Sequence, residues 1–123
     1  MKERQSILNR IVTTLRGMFE PEQVGFGHVQ ALTLWPRAIY AVGDIHGRFD
    51  LFAALEKALA EDCARLGGAG VLVLLGDLVD RGPESAQLLD HLIAPAPASL
   101  LRIALRGNHD EMFEAFLRNP TLD

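Results

Sequence analysis

The chain has 123 residues, 49% of them hydrophobic and 23% charged, which supplies one domain core and is too short for two. Eleven Gly, six Pro and a net charge of −4 exclude disordered and collagen-like chains and the basic footprint of a nucleic-acid binder, leaving room for a local cationic phosphate site. The longest apolar runs, Val71–Leu75 among them, reach five residues, far below the ~20 of a transmembrane helix, and a lone Cys63 offers neither a disulfide nor a zinc knuckle, so a cytoplasmic protein is expected.

In chain order, Ile7, Leu8, Ile11, Val12, Leu15 and Phe19 recur at helical spacing and predict an amphipathic helix over Ser6–Phe19. Its surplus of basic residues also suits a membrane surface or a docking partner, although packing on the body is the simpler role. Pro21–Pro36, with Gly25, Gly27 and His28, shows no sustained period and reads as a connector, so residues 1–36 form a helix and linker ahead of the domain at 37–123.

After Pro36 the runs Ala38–Val42, Val71–Leu75 and Leu100–Leu105 predict buried parallel strands. Between them, Asp50 is placed to cap a helix whose buried face carries Leu51, Leu55 and Leu59 and which stops at Gly67 and Gly68. Pro83 opens a second helix with Leu88, Leu89 and Leu92, and a third follows Asp110. The fold class is α/β in the order β-α-β-α-β-α. Cys63 reads as a half-buried helix residue, and His28 and His91 as ordinary surface or packed histidines.

Each predicted strand runs into a glycine followed by a candidate ligand: Gly43-Asp44-Ile45-His46-Gly47, Gly76-Asp77-Leu78-Val79-Asp80-Arg81-Gly82 and Gly107-Asn108-His109-Asp110. Loops at the carboxyl ends of neighbouring parallel strands converge on one crevice, so the three form one site. Asp44 and His46 offer an oxygen and an imidazole nitrogen from one tight turn, Asp77 has two oxygens with which to bridge two cations, and Asn108 adds a neutral carbonyl. This mixed shell points to two divalent ions, Mn, Fe or Zn, over a calcium cage. His109 then falls on the leaving-group side as general acid, oriented by Asp80, and Arg81 clamps phosphate oxygens with its fork. Arg106 and Arg48 are further phosphate candidates, each with a plain structural alternative.

These three motifs resemble the first three signatures of the calcineurin-like metallophosphoesterases, and more narrowly those of the bacterial-type phosphoprotein phosphatase branch, over Ala38–Glu111. The resemblance implies Asp44 and His46 on one metal, Asp77 bridging, Asn108 on the second, His109 with Asp80 as proton donor and Arg81 on phosphate. It also implies a four-layer α/β/β/α sandwich of which this chain encodes the first half. Asp110 stands where protein phosphatases usually carry Glu, a form shared with diadenosine tetraphosphatase relatives, which typically lack an aspartate at the position of Asp80. The expected function is therefore phosphoserine or phosphothreonine hydrolysis, with dinucleoside polyphosphate hydrolysis or a silent fragment as alternatives. The substrate partner would be a phosphoprotein or phosphorylated small molecule, with no nucleic acid. Because the family draws further ligands from beyond the third motif, the isolated chain is expected to be inactive and to self-associate through an uncovered sheet face.

Overall fold

A computed structural model describes residues 19–23, 28–32 and 35–120. The first feature corrects the linker reading: β1 (Phe19–Gln23) and β2 (His28–Leu32) pair antiparallel, with Phe19 opposite Leu32 and Gln23 opposite His28. Pro21, which lacks an N–H, is tolerated because a two-stranded ribbon leaves one edge of each strand unpaired. Arms of five residues are too short to show a period, which is why they read as linker. Phe19, the last residue of the predicted helix, belongs to this hairpin, and the helix at Ser6 to Met18 lies outside the described residues.

The domain is built on β3 (Ile39–Val42), β4 (Gly70–Leu74) and β5 (Leu100–Ala104), a parallel sheet in that order. The strands are joined by α1 (Phe49–Arg65) and α2 (Ser85–Ile93), and α3 (Asn108–Arg118) follows the third. This is the predicted β-α-β-α-β-α order, with strand limits within a residue of the apolar runs. Val42 pairs with Leu74 and Leu74 with Ala104, so all three strands end level and their loops leave from one edge.

Paired residues of a parallel sheet share a face, which puts Leu72 and Leu74 with Tyr40, Val42 and Arg102 on the side covered by the helices. The core of Phe52, Cys63, Leu72, Leu74, Leu88 and Leu100 fills that side. On the opposite face Ile39 of β3 is 56% exposed and Ala41 is exposed too, whereas Val71 of the central strand is buried at 4%.

Helix α1 buries a stripe that only partly matches the one predicted. Phe52, Glu56 and Cys63 face inward and Leu59 packs against the core, while Leu51 and Leu55 are 58% and 42% exposed. The rotation follows from Glu56, which reaches Arg102 of β5 and His91 of α2. Asp50 is not the cap either: Arg48 holds that position and its guanidinium grips the Asp50 carboxylate at 3.0 and 2.9 Å, holding the acid down to about 2. Cys63 is fully buried instead of half-buried, its thiol donating to the Ser99 carbonyl at 3.2 Å, and burial pushes its pKa up. Among the described residues no helix is long and apolar enough to cross a membrane.

Candidate metal centre

Three loops leave the level strand ends, and the backbone knits them together. Ile45 and His46 donate their N–H groups to the Asp77 carbonyl at 3.1 and 3.0 Å, Gly47 donates to Leu78 at 2.8 Å, and Gly82 donates to His46 at 2.8 Å. The third loop closes on the second at Gly107, where a Cβ would collide with the Asp77 carboxylate and amide, so only glycine allows this approach. His109 N–H then donates to Asp77 Oδ1 at 3.0 Å.

The backbone is strained where the chemistry is expected. Among the described residues, His46, Asp77, Asp80 and Arg81 have φ of +46°, +52°, +69° and +71°, and Ala69 is the one other non-glycine residue with positive φ. Asp and His tolerate this region better than most residues, yet each such conformation costs about 1 kcal/mol or more and persists where surrounding structure holds it, typically at functional sites.

These constraints aim side chains inward. His46 Nδ1 lies 2.9 Å from the Val79 carbonyl oxygen, which cannot donate, so Nδ1 carries the proton and Nε2 the lone pair. His109 Nδ1 lies 3.0 Å from Asp80 Oδ2, which orients that ring. The two imidazoles meet edge to face at 4.9 Å, and His46, Asp77 and His109 each present one ligand atom, all within 4.8 Å of one another. Asp44 Oδ2 is 3.6 Å from His46 Nε2, which sets a carboxylate oxygen beside the ring nitrogen that the Val79 bond leaves free. Imidazoles anchored through one nitrogen by a carbonyl or carboxylate, with the other left free, are the arrangement found around bound metals, so these residues fit a divalent ion.

The structure thus gathers His46, Asp77 and His109, with Asp44 joined to His46 and Asp80 to His109. Asn108 is exposed at the first position of α3, next to His109, and Arg81 is exposed on the strained middle loop. Arg106 is engaged elsewhere, bonded to Glu114 of α3 at 2.6 Å, a contact that holds the Glu114 carboxyl below its ordinary range. Arg48, paired with Asp50, flanks a groove of about 200 Å³ between β3 and α1 that also touches Asp44 and Leu55. Sequence reasoning missed Val79, whose contribution is a backbone carbonyl, and used Asp110 as a helix boundary and a point of family comparison without a role in the site.

Residues 37–122 match the profile of the calcineurin-like phosphoesterase family. The chain is similar to Serine/threonine-protein phosphatase 1 of Salmonella typhimurium, 38% identical across 77% of this chain and 38% of that protein. It is also similar to the symmetrical bis(5'-nucleosyl)-tetraphosphatase of Dechloromonas aromatica, 42% identical over 59% of this chain and 24% of the relative. The asymmetrical bis(5'-nucleosyl)-tetraphosphatase PrpE of Anoxybacillus flavithermus is 36% identical over 62% and 33%. The chain therefore spans between a quarter and two fifths of the length of these relatives. No solved structure matches it.

Proposed function

This chain belongs to the calcineurin-like phosphoesterase family, and on that footing we propose that its protein hydrolyses phosphate monoesters on serine or threonine side chains. The observation that carries the reading is the convergence of two oriented imidazoles and the Asp77 carboxylate at the level ends of three strands. Asp44, His46, Asp77 and Asn108 would hold two divalent ions. Such ions, when bound, lower the pKa of water toward ~7 and neutralise charge on the phosphoryl group.

The remaining chemistry is assigned to the chain's own groups. Asp80 fixes the His109 ring through Nδ1, so that in the imidazolium form the Nε2–H proton is the one handed to the departing serine or threonine oxygen. Arg81, exposed on the middle loop, offers a two-pronged guanidinium to the phosphoryl oxygens and so orients the phosphorus for in-line attack. Asp77 Oδ1 is steadied by the His109 N–H, which couples a carboxylate that would hold metal to the residue assigned as acid. The similarity to Serine/threonine-protein phosphatase 1 across 77% of this chain supports the side-chain monoester reading.

The tetraphosphatase relatives support a second reading, cleavage of a dinucleoside polyphosphate by the same centre. Turnover of a phosphothreonine peptide against diadenosine tetraphosphate, with Mn²⁺ and the full-length protein, decides between them. The protein phosphatase reading expects the peptide to be the better substrate by kcat/KM; preference for the dinucleotide overturns it.

A further inference from the structure

One carboxylate outside the catalytic set touches all three loops directly or through one intermediate. Asp110, in the first turn of α3, accepts the N–H groups of Leu78 and Val79 on Oδ1 at 2.9 and 3.2 Å, and that of Gly107 on Oδ2 at 2.9 Å. The carbonyls of the same two middle-loop residues face the first loop: Leu78 accepts from Gly47, and Val79 accepts from His46 Nδ1. Asp110 thus grips the N–H side of a dipeptide whose carbonyl side orients a candidate metal ligand. The residue before that dipeptide is Asp77 and the residue after it is Asp80, the partner of His109.

We infer that Asp110 is a positioning residue that sets the orientation of His46 through Val79 and of His109 through Asp80, acting through the middle loop without touching metal or substrate. The chemistry requires an anion here. All three partners are N–H donors, so both oxygens must accept, and an amide in the same place would turn its NH₂ onto at least one donor. The location at a helix N-terminus favours negative charge as well. With Asp77 and Asp80 in strained positive-φ conformations on either side, the grip is needed to keep the loop from relaxing. Helix α3 has no fully buried residue, Phe113 packing on the core only in part, and the Asp110 contact joins those of His109 with Asp77 and Asp80 in tying α3 to the middle loop.

The test compares Asp110→Asn, Asp110→Glu and Leu100→Ala, the last being a core truncation at the start of β5, the end of the sheet opposite the loops. Co²⁺ affinity is read by calorimetry and by the visible spectrum of the bound ion. Asp110→Asn is expected to weaken Co²⁺ binding about 10–100-fold, the effect of losing a partner that orients a ligand, and to alter the spectrum. Asp110→Glu, which keeps two anionic acceptors, should stay within a few-fold of wild type. Leu100→Ala should lower the melting temperature and leave the spectrum unchanged. Wild-type affinity in Asp110→Asn, equal losses in the Asn and Glu variants, or an equal loss in Leu100→Ala would each overturn the inference.

Its kinetic consequence, a fall in kcat for Asp110→Asn with KM little changed, rests on the phosphoesterase reading. The two fail separately. A wild-type protein whose Co²⁺ affinity depends on Asp110 yet which hydrolyses no phosphate ester refutes the function alone, and an active enzyme indifferent to Asp110→Asn refutes the positioning role alone.

Discussion

Replacing Glu56 by Gln tests how the domain is held together behind its loops. Glu56 is 3% exposed and is the one charged residue among the described residues in the buried class. Its Oε1 accepts from Arg102 Nε at 2.8 Å, with a second guanidinium nitrogen at 2.6 Å, and Oε2 faces His91 Nε2 at 2.6 Å. The Arg102 side chain is itself 6% exposed, and its remaining donor group serves the carbonyls of His91, Leu92 and Ala94 where α2 ends. One triad therefore pins α1, α2 and β5. Two hydrogen bonds to a charged group at roughly 1.5–3 kcal/mol each, together with a guanidinium stranded in the interior, put the loss near 3–5 kcal/mol. For a domain of this size that lowers the melting temperature by at least about 12 °C. Urea unfolding followed by circular dichroism measures it, with the slope checked for two-state behaviour. Because an apolar replacement of a whole buried ion pair is often nearly neutral, Glu56→Leu combined with Arg102→Met should be far less destabilised than the sum of the two single variants. A loss below about 1 kcal/mol in Glu56→Gln, or strict additivity in the double variant, would refute the assignment of the triad as the tie between these elements.

Other outcomes follow from the site and from the sheet. His109→Gln is expected to slow hydrolysis of a phosphothreonine peptide by about 10²–10⁴-fold while an aryl phosphate, whose leaving oxygen needs little protonation, loses far less; equal losses would make His109 positional. Tyr40, the single tyrosine of the chain, donates its hydroxyl to Asp62 Oδ2 at 2.7 Å, and this bond first, then burial, raises its pKa from 10.0 to about 12. The raised value favours the protonated phenol in the folded state, so its contribution to stability is complete below pH 10 and is lost as pH rises toward 12. Tyrosinate absorbance should therefore titrate near 12 in the folded chain and return toward 10 in Asp62→Asn, and a wild-type midpoint near 10 would remove the bond.

How much of this was legible in the sequence depends on whether a feature is local. Gly43-Asp44, Gly76-Asp77 and Gly107-Asn108 each follow an apolar run directly, so three strands and their ligand-bearing loops could be placed from pattern alone. The stripe of α1 could not, because a periodicity count assigns every glutamate to solvent, and Glu56 is buried only through Arg102, 46 residues away. Arg106 is a phosphate candidate because it abuts the third loop, and its partner Glu114 was not legible because only the folding of α3 brings it there. The hairpin at Phe19–Gln23 and His28–Leu32 was lost for a different reason, since its register depends on pairing across the turn and its arms are too short to alternate visibly. Asp110 was visible as a letter and not as a role: its three partners are backbone N–H groups, which carry no sequence signal.

The most direct test of the central claim, that the three loops form one metal centre, is Mn²⁺ titration of the chain and of Asp77→Asn by calorimetry. Asn keeps the shape, tolerates φ near +52° and still accepts the His109 N–H, so the loop is preserved while the anionic ligand is removed. The account predicts that the wild-type chain binds Mn²⁺ and that Asp77→Asn loses more than the ~100-fold that an outer partner costs, with an unchanged circular dichroism spectrum. Equal Mn²⁺ affinity in the two proteins, or no binding by a folded wild-type chain, would contradict it.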